Sequence, residues 1–338
     1  MSESDDQVST EDTMRERADE SRAKLWVLVG ANRLLVTGVL ALSFFVLFML
    51  GALLDPTLSG LLQDRNVIES LYAQMIGSLI TGVTLVVTIS QLIISQENGP
   101  LGEQRTRMSE TLDFRSYIQE LTDKPAPADP SAFLREIVDA TQVRAEALED
   151  EIERTDNDDL KDEVNEFVDS IVGNAETVRE ELDGASFGTF DVVYASMDYN
   201  YSWKIFQIER LKADYGDVID EEQDEALDDL RSSFAMFGPA REHIKTLYFQ
   251  WELINLSRYI LYAAIPALLV SGMMMTFVDT TTITGTILGV EVLLWLVAVT
   301  FTFTLIPFFL LTTYIMRVAT AAKRTLAIGP LILRDSQR

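Results

Sequence analysis

The sequence predicts an all-α integral membrane protein with four transmembrane helices in two hairpins and a helical cytoplasmic domain inserted between spans 2 and 3. Three observations carry this expectation. Four long runs contain no charged side chain, the acidic residues concentrate between the second run and the third, and the apolar positions of that acidic segment recur at helical rather than strand spacing.

Residues 1–24 read as a disordered acidic tail, because positions 1–20 are rich in Ser, Thr, Asp and Glu and almost free of apolar side chains. Residues 25–96 hold the first hairpin, with Leu34–Leu54 as a span of 21 residues and Leu71–Gln96 as one of 26. Residues 258–316 hold the second, with Tyr259–Val278 (20 residues) and Val292–Met316 (25 residues). Each run meets the requirement of roughly 20 apolar residues for crossing the hydrocarbon core. The first run is too long, and starts too far from the N-terminus, to be a cleaved signal peptide. Pro266 and Pro307 fall inside spans 3 and 4, where each is expected to kink its helix. Gly285 and Gly289 form a GxxxG ahead of the last apolar run, and Glu291 is expected at the outer interface.

Basic residues set the direction. Arg15, Arg17, Arg22, Lys24 and Arg33 precede span 1, only Arg65 lies in the loop after it, and none lies in the loop after span 3. The tail 317–338 carries Arg317, Lys323, Arg324, Arg334 and Arg338, so both termini are expected in the cytoplasm of a cell bounded by this membrane. Trp26, Trp251, Tyr259, Tyr262 and Tyr314 are expected as anchors near the inner interface.

Residues 97–257 form the predicted cytoplasmic domain, with 39 acidic and 15 basic side chains. Leu160, Val164, Phe167, Ile171, Val178 and Leu182 mark one helical face. Tyr194, Met197, Tyr201, Ile205, Ile208, Tyr215 and Val218 mark a second, and Ile244, Leu247, Trp251 and Ile254 a third that runs on into span 3 as one long helix. Asp129 before Pro130 reads as a helix N-cap with proline at the first position. Gly99-Pro100, the glycines 184 and 188, and Gly238-Pro239 read as breaks. The aromatic cluster Phe187, Phe190, Tyr194, Tyr199, Tyr201, Trp203 and Phe206 reads as core, and the acidic run 220–229 as solvated surface, since it lacks the spacing of a calcium loop.

The net charge of −26, the shortage of Lys (7 against 20 Arg) and the absence of Cys point to a protein kept soluble in concentrated salt, as in an extreme halophile. With acidity as background, no basic face is left for nucleic acid. No Cys and one His, His243, argue against disulfides, iron–sulfur clusters, thiol nucleophiles and His-based metal sites or triads, and with no nucleophile, metal set or phosphate loop in the sequence neither a cofactor nor an enzymatic activity is expected. His243 reads as a surface or interface residue.

One pattern within the spans asks for a function. Gln74, Ser78, Thr81, Thr84, Thr88, Gln91 and Ser95 recur at steps averaging 3.5 residues, which places all seven on one face of span 2. That line is either glue within a helix bundle, the lining of a water-filled path built from several copies of span 2, or a by-product of a Thr-rich composition. Two Gln amides are poorly suited to lipid, which counts against the third reading.

The order of two spans, a helical cytoplasmic domain and two further spans resembles the bestrophin-type anion channels, in which the second span lines the pore of a ring of subunits. Their Arg-Asn-Asn and Trp-Trp-Glu style signature is absent; the chain reads SQENGPLGEQRTRM at that place. The stretch ISQLIISQENGPLGEQRTRM is itself similar to an element of haloarchaeal four-span membrane proteins with no established activity. The expectation is therefore a homo-oligomer in the lipid bilayer that passes ions or small solutes along span 2. The rival is a non-conducting scaffold or sensor whose cytoplasmic domain binds a protein partner.

Overall fold

A computed structural model of the chain describes residues 24, 26–54, 60–97, 99–185, 188–281 and 283–324. The expected disordered tail apart from Lys24, residues 325–338 and Phe187 lie outside them. A short π-turn, Trp26–Gly30, leads into α1 (Arg33–Leu54) and α2 (Arg65–Glu97). Then come α3 (Leu101–Thr122), α4 (Pro130–Ile152), α5 (Asp158–Leu182), α6 (Asp191–Asp198), α7 (Tyr201–Asp214) and α8 (Glu221–Phe277). A two-stranded hairpin, β1 (Thr286–Ile287) and β2 (Val290–Glu291), precedes α9 (Val292–Thr304) and α10 (Ile306–Arg324). The described fold is therefore almost wholly helical.

The chain divides into two compact units, one from 1–30, 99–249 and 320–338, the other from 31–98 and 250–319. In the first, α4 and α5 pack most extensively, and α6, α7 and the early part of α8 complete the core. The face Leu160, Val164, Phe167, Ile171, Val178 and Leu182 is buried along its length. Val29 and Ala321, outside the segment assigned to this domain from sequence, join the same core because their small apolar side chains fit it. Capping starts the helices. Asp129 accepts from Ala132 N at 3.0 Å with Pro130 at the first position, and Asn157 accepts from Leu160 N at 2.9 Å. Asp220 and Gln223 bond reciprocally at the head of α8, as 2.9 and 3.2 Å contacts.

Gly238-Pro239 is not a break: α8 runs through it. A Cβ at Gly238 would lie 3.0 Å from the Tyr201 ring, so the glycine serves close approach of α7 to α8 rather than a turn. The predicted 194–218 face is interrupted at Tyr199-Asn200, and Val218 is exposed.

In the second unit, α1, α2 and α8 are long and apolar enough to cross a membrane. The last predicted span is a pair, α9 and α10, bent by 41° around Leu305. Pro307 accounts for the break, because its ring excludes the carbonyl four residues back and it has no N–H to donate. Met49, Ile68, Tyr72, Met274, Leu294 and Val297 form one apolar cluster, and Val86, Leu256, Ile260, Leu310 and Tyr314 another. Tyr314 is buried against Tyr259, with ring centroids 6.1 Å apart. Gly285 and Gly289 are turn residues at φ 112° and 79°, not a helix-packing motif. Leu288 and Gly289 make the two-residue loop of the β1–β2 hairpin with both φ values positive, which suits the twist of paired strands.

Candidate functional site

The predicted span 2 falls in α2, opened by Asp64, whose carboxylate accepts from Asn66 N at 2.9 Å. Its packing face is Ile68, Tyr72, Leu79, Val86 and Ser90, all buried. Polar contacts fix that face at two heights: Tyr72 Oη meets Thr300 Oγ1 of α9 at 2.5 Å, and Ser90 Oγ shares a hydrogen bond with Ser257 Oγ of α8.

The seven residues singled out from sequence all lie on the other side. Gln74, Ser78, Thr81, Thr84, Thr88, Gln91 and Ser95 are exposed, every one. At 3.6 residues per turn, the centre of the line falls about 180° from the centre of the packing face. From Gln74 to Ser95 it climbs about 31 Å, close to the thickness of the hydrocarbon core. The hydroxyls of Thr81, Thr84 and Thr88 donate to the carbonyls of Gly77, Ile80 and Thr84 at 2.9, 2.8 and 2.8 Å, and Ser95 donates to Leu92 O at 2.7 Å. These four hydroxyls thus bond their own helix, and the line as a whole stands exposed in the described chain. Leu85 and Leu92, 62% and 61% exposed, stand on the same outward half of the helix.

Sequence reasoning missed two buried polar clusters. In the second unit, Arg33 and Arg317, basic flanks of the first and last apolar runs in the sequence, are only 4% and 8% exposed. Both guanidinium groups donate to the Ala31 carbonyl, which the bend between the π-turn and α1 leaves open. Arg33 also reaches Thr313 O at 3.4 Å, Thr37 and Thr313 hydroxyls meet at 3.1 Å, and Glu252 lies 3.9 Å from Arg317. A legible signal existed: Glu252 is the single acid between Glu242 and Asp279.

In the first unit, Lys204 is fully buried. Its Nζ donates to Asn174 Oδ1 and lies 4.3 Å from the Tyr199 ring centre. Asn174 Nδ2 donates to Asp198 O at 3.0 Å, and the Tyr199 and Thr141 hydroxyls share a hydrogen bond. Burial raises the Tyr199 phenol above its usual range. Glu181 is pushed up to about 8, first by burial and then by the Asp198 charge and a hydrogen bond to Asp198. The network ties α4, α5, α6 and α7 together, and leaves Glu181 Oε2 buried without a hydrogen-bond partner.

The remaining candidates are structural. Phe190 packs edge-on against Tyr248 at 5.4 Å and Tyr199 against Phe237 at 4.6 Å, so Phe190, Tyr199 and Tyr201 supply core, whereas Phe206 is exposed beside Trp203. Within the acidic run, Asp224 and Asp228 each accept from Lys212 Nζ at 2.8 Å. His243 is exposed, and Glu291 accepts from Gln63 at 3.5 Å. Among the described residues, no cluster of three His, Asp or Glu is placed to hold a metal ion.

A family model described as "Family of unknown function (DUF7972)" matches residues 1–338. No curated protein and no solved structure matches the chain, so the resemblance to bestrophin-type channels rests on span order alone.

Proposed function

We propose, from the premise that the chain belongs to the family DUF7972, that it is an oligomeric, four-span protein of the cell membrane that passes ions or small solutes along the polar face of α2. Both termini and the acidic helical unit lie in the cytoplasm on this reading, and α9 with α10 serves as one broken span. The supporting observation is the outward position of all seven polar residues over a length that matches the bilayer. Hydrocarbon leaves the amides of Gln74 and Gln91 without partners. Copies of α2 around an axis supply water to them instead, with Leu85 and Leu92, which share the azimuth of Gln74 and Ser78, as apolar positions on the same wall.

A second reading keeps the oligomer dry and makes the protein a scaffold. It draws on α3, where Leu101, Met108 and Leu112 recur on one exposed face, as a docking surface for a protein partner. The two readings separate by thiol chemistry, because the chain has no Cys. In the native oligomer, Thr81→Cys, Thr84→Cys, Thr88→Cys and Gln91→Cys should react with small hydrophilic thiol reagents, and Val83→Cys, Val86→Cys and Val87→Cys should not. Thr84→Leu and Thr88→Leu should block flux without dissociating the oligomer. An unreactive stripe in an intact oligomer rejects the path and leaves the scaffold.

A further inference from the structure

The hydrogen bonds along α2 bear on what such a path would carry. A hydroxyl has one proton to donate and two lone pairs with which to accept. At Thr81, Thr84, Thr88 and Ser95 the partner is a backbone carbonyl, which can only accept, so the hydroxyl proton is committed to the helix itself. What these side chains turn outward is oxygen lone pairs. The backbone N–H groups of α2 are held in its own ladder and add no donors to the face. Of the line, the Ser78 hydroxyl and the Gln74 and Gln91 amides keep donors, each beside an oxygen acceptor on the same side chain.

Resting on the reading of α2 as the wall of a path, we infer that the permeating species is a monovalent cation. Rings of neutral oxygens replace the hydration shell of a cation, whereas an anion needs N–H, O–H or positively charged groups directed at it. From Gln74 to Ser95 there is no Lys, Arg or His, and the donors left on the line are those of Gln74, Ser78 and Gln91, each beside an oxygen acceptor on the same side chain. Nor is there an Asp or Glu in that stretch, and hard divalent cations are held chiefly by carboxylates. The net charge of −26 acts in the same direction, raising the local concentration of cations at the protein surface. The anion preference implied by the bestrophin resemblance is thus opposed by the side chains present.

The test is the reversal potential of the full chain, reconstituted as its native oligomer in planar bilayers with a KCl gradient. The expected result is a potential near that of K⁺, with K⁺ favoured over Cl⁻ by at least tenfold. Thr84→Val and Thr88→Val keep the shape and remove the lone pairs, so they should lower that ratio severalfold, and Thr84→Ser should restore it. A preference for Cl⁻, or a ratio the valine variants do not change, overturns the cation assignment and leaves the path standing. Absence of any flux from an oligomer verified as intact overturns the path and the assignment together.

Discussion

Replacing Gly238 by alanine tests the close packing of α7 on α8. An added Cβ would lie 3.0 Å from Tyr201 Cε2 and 3.1 Å from both Cζ and Oη. Carbon contacts are most favourable at 3.5–4.0 Å, so the ring must retreat by roughly half an ångström. It has little room: Tyr201 is buried, Phe237 lies 5.9 Å from it, and the Arg241 guanidinium covers its face at 4.8 Å. Overpacking of this kind costs about 1–3 kcal/mol, and alanine recovers up to about 1 kcal/mol of helix propensity. The net expectation for Gly238→Ala is a loss of about 1 kcal/mol. Gly173 in the middle of α5 is the control, because it is exposed and a Cβ there meets nothing within 4 Å. Gly173→Ala should gain up to about 1 kcal/mol. A unit of this size shifts its melting temperature by about 2–4 °C per kcal/mol, so the variants should differ by about 4–8 °C. The assay is thermal unfolding of the full chain in detergent, followed by circular dichroism. Gly238→Ala melting at or above the wild type would refute the contact argument and reopen a turn at this position.

Glu181 gives a pH signature: its folded pKa of about 8 is above the ordinary 4.5, so the folded state holds the proton more tightly. Its stabilising share is complete below about 4.5 and is lost as pH rises towards 8. Melting temperature should therefore fall over that window in the wild type and fall less in Glu181→Gln; parallel curves would remove the Glu181–Asp198 pair from the account. For orientation, Thr284→Cys should label from outside intact cells and Asp156→Cys should not. Labelling of Asp156→Cys from outside would reverse the proposed topology.

The sequence by itself determined the helical class, the apolar runs and the faces that make the core, because helical period and chain length are local properties. The face of α5 from Leu160 to Leu182 was legible for that reason, and so was the cap at Asp129. The polar line of α2 was legible as a line, but its direction was not, since a helix has an outside only once its neighbours are in place. Tertiary packing alone set the line opposite Ile68, Tyr72, Leu79, Val86 and Ser90. Asn174 and Lys204 stand at apolar-face positions, three residues after Ile171 and three after Tyr201, a visible break of period whose meaning needed partners from other helices. Arg33 and Arg317 show the same limit more sharply. Each borders an uncharged run and looks interfacial, yet both are buried on one carbonyl, because charge is a property of a side chain and burial is a property of what folds around it.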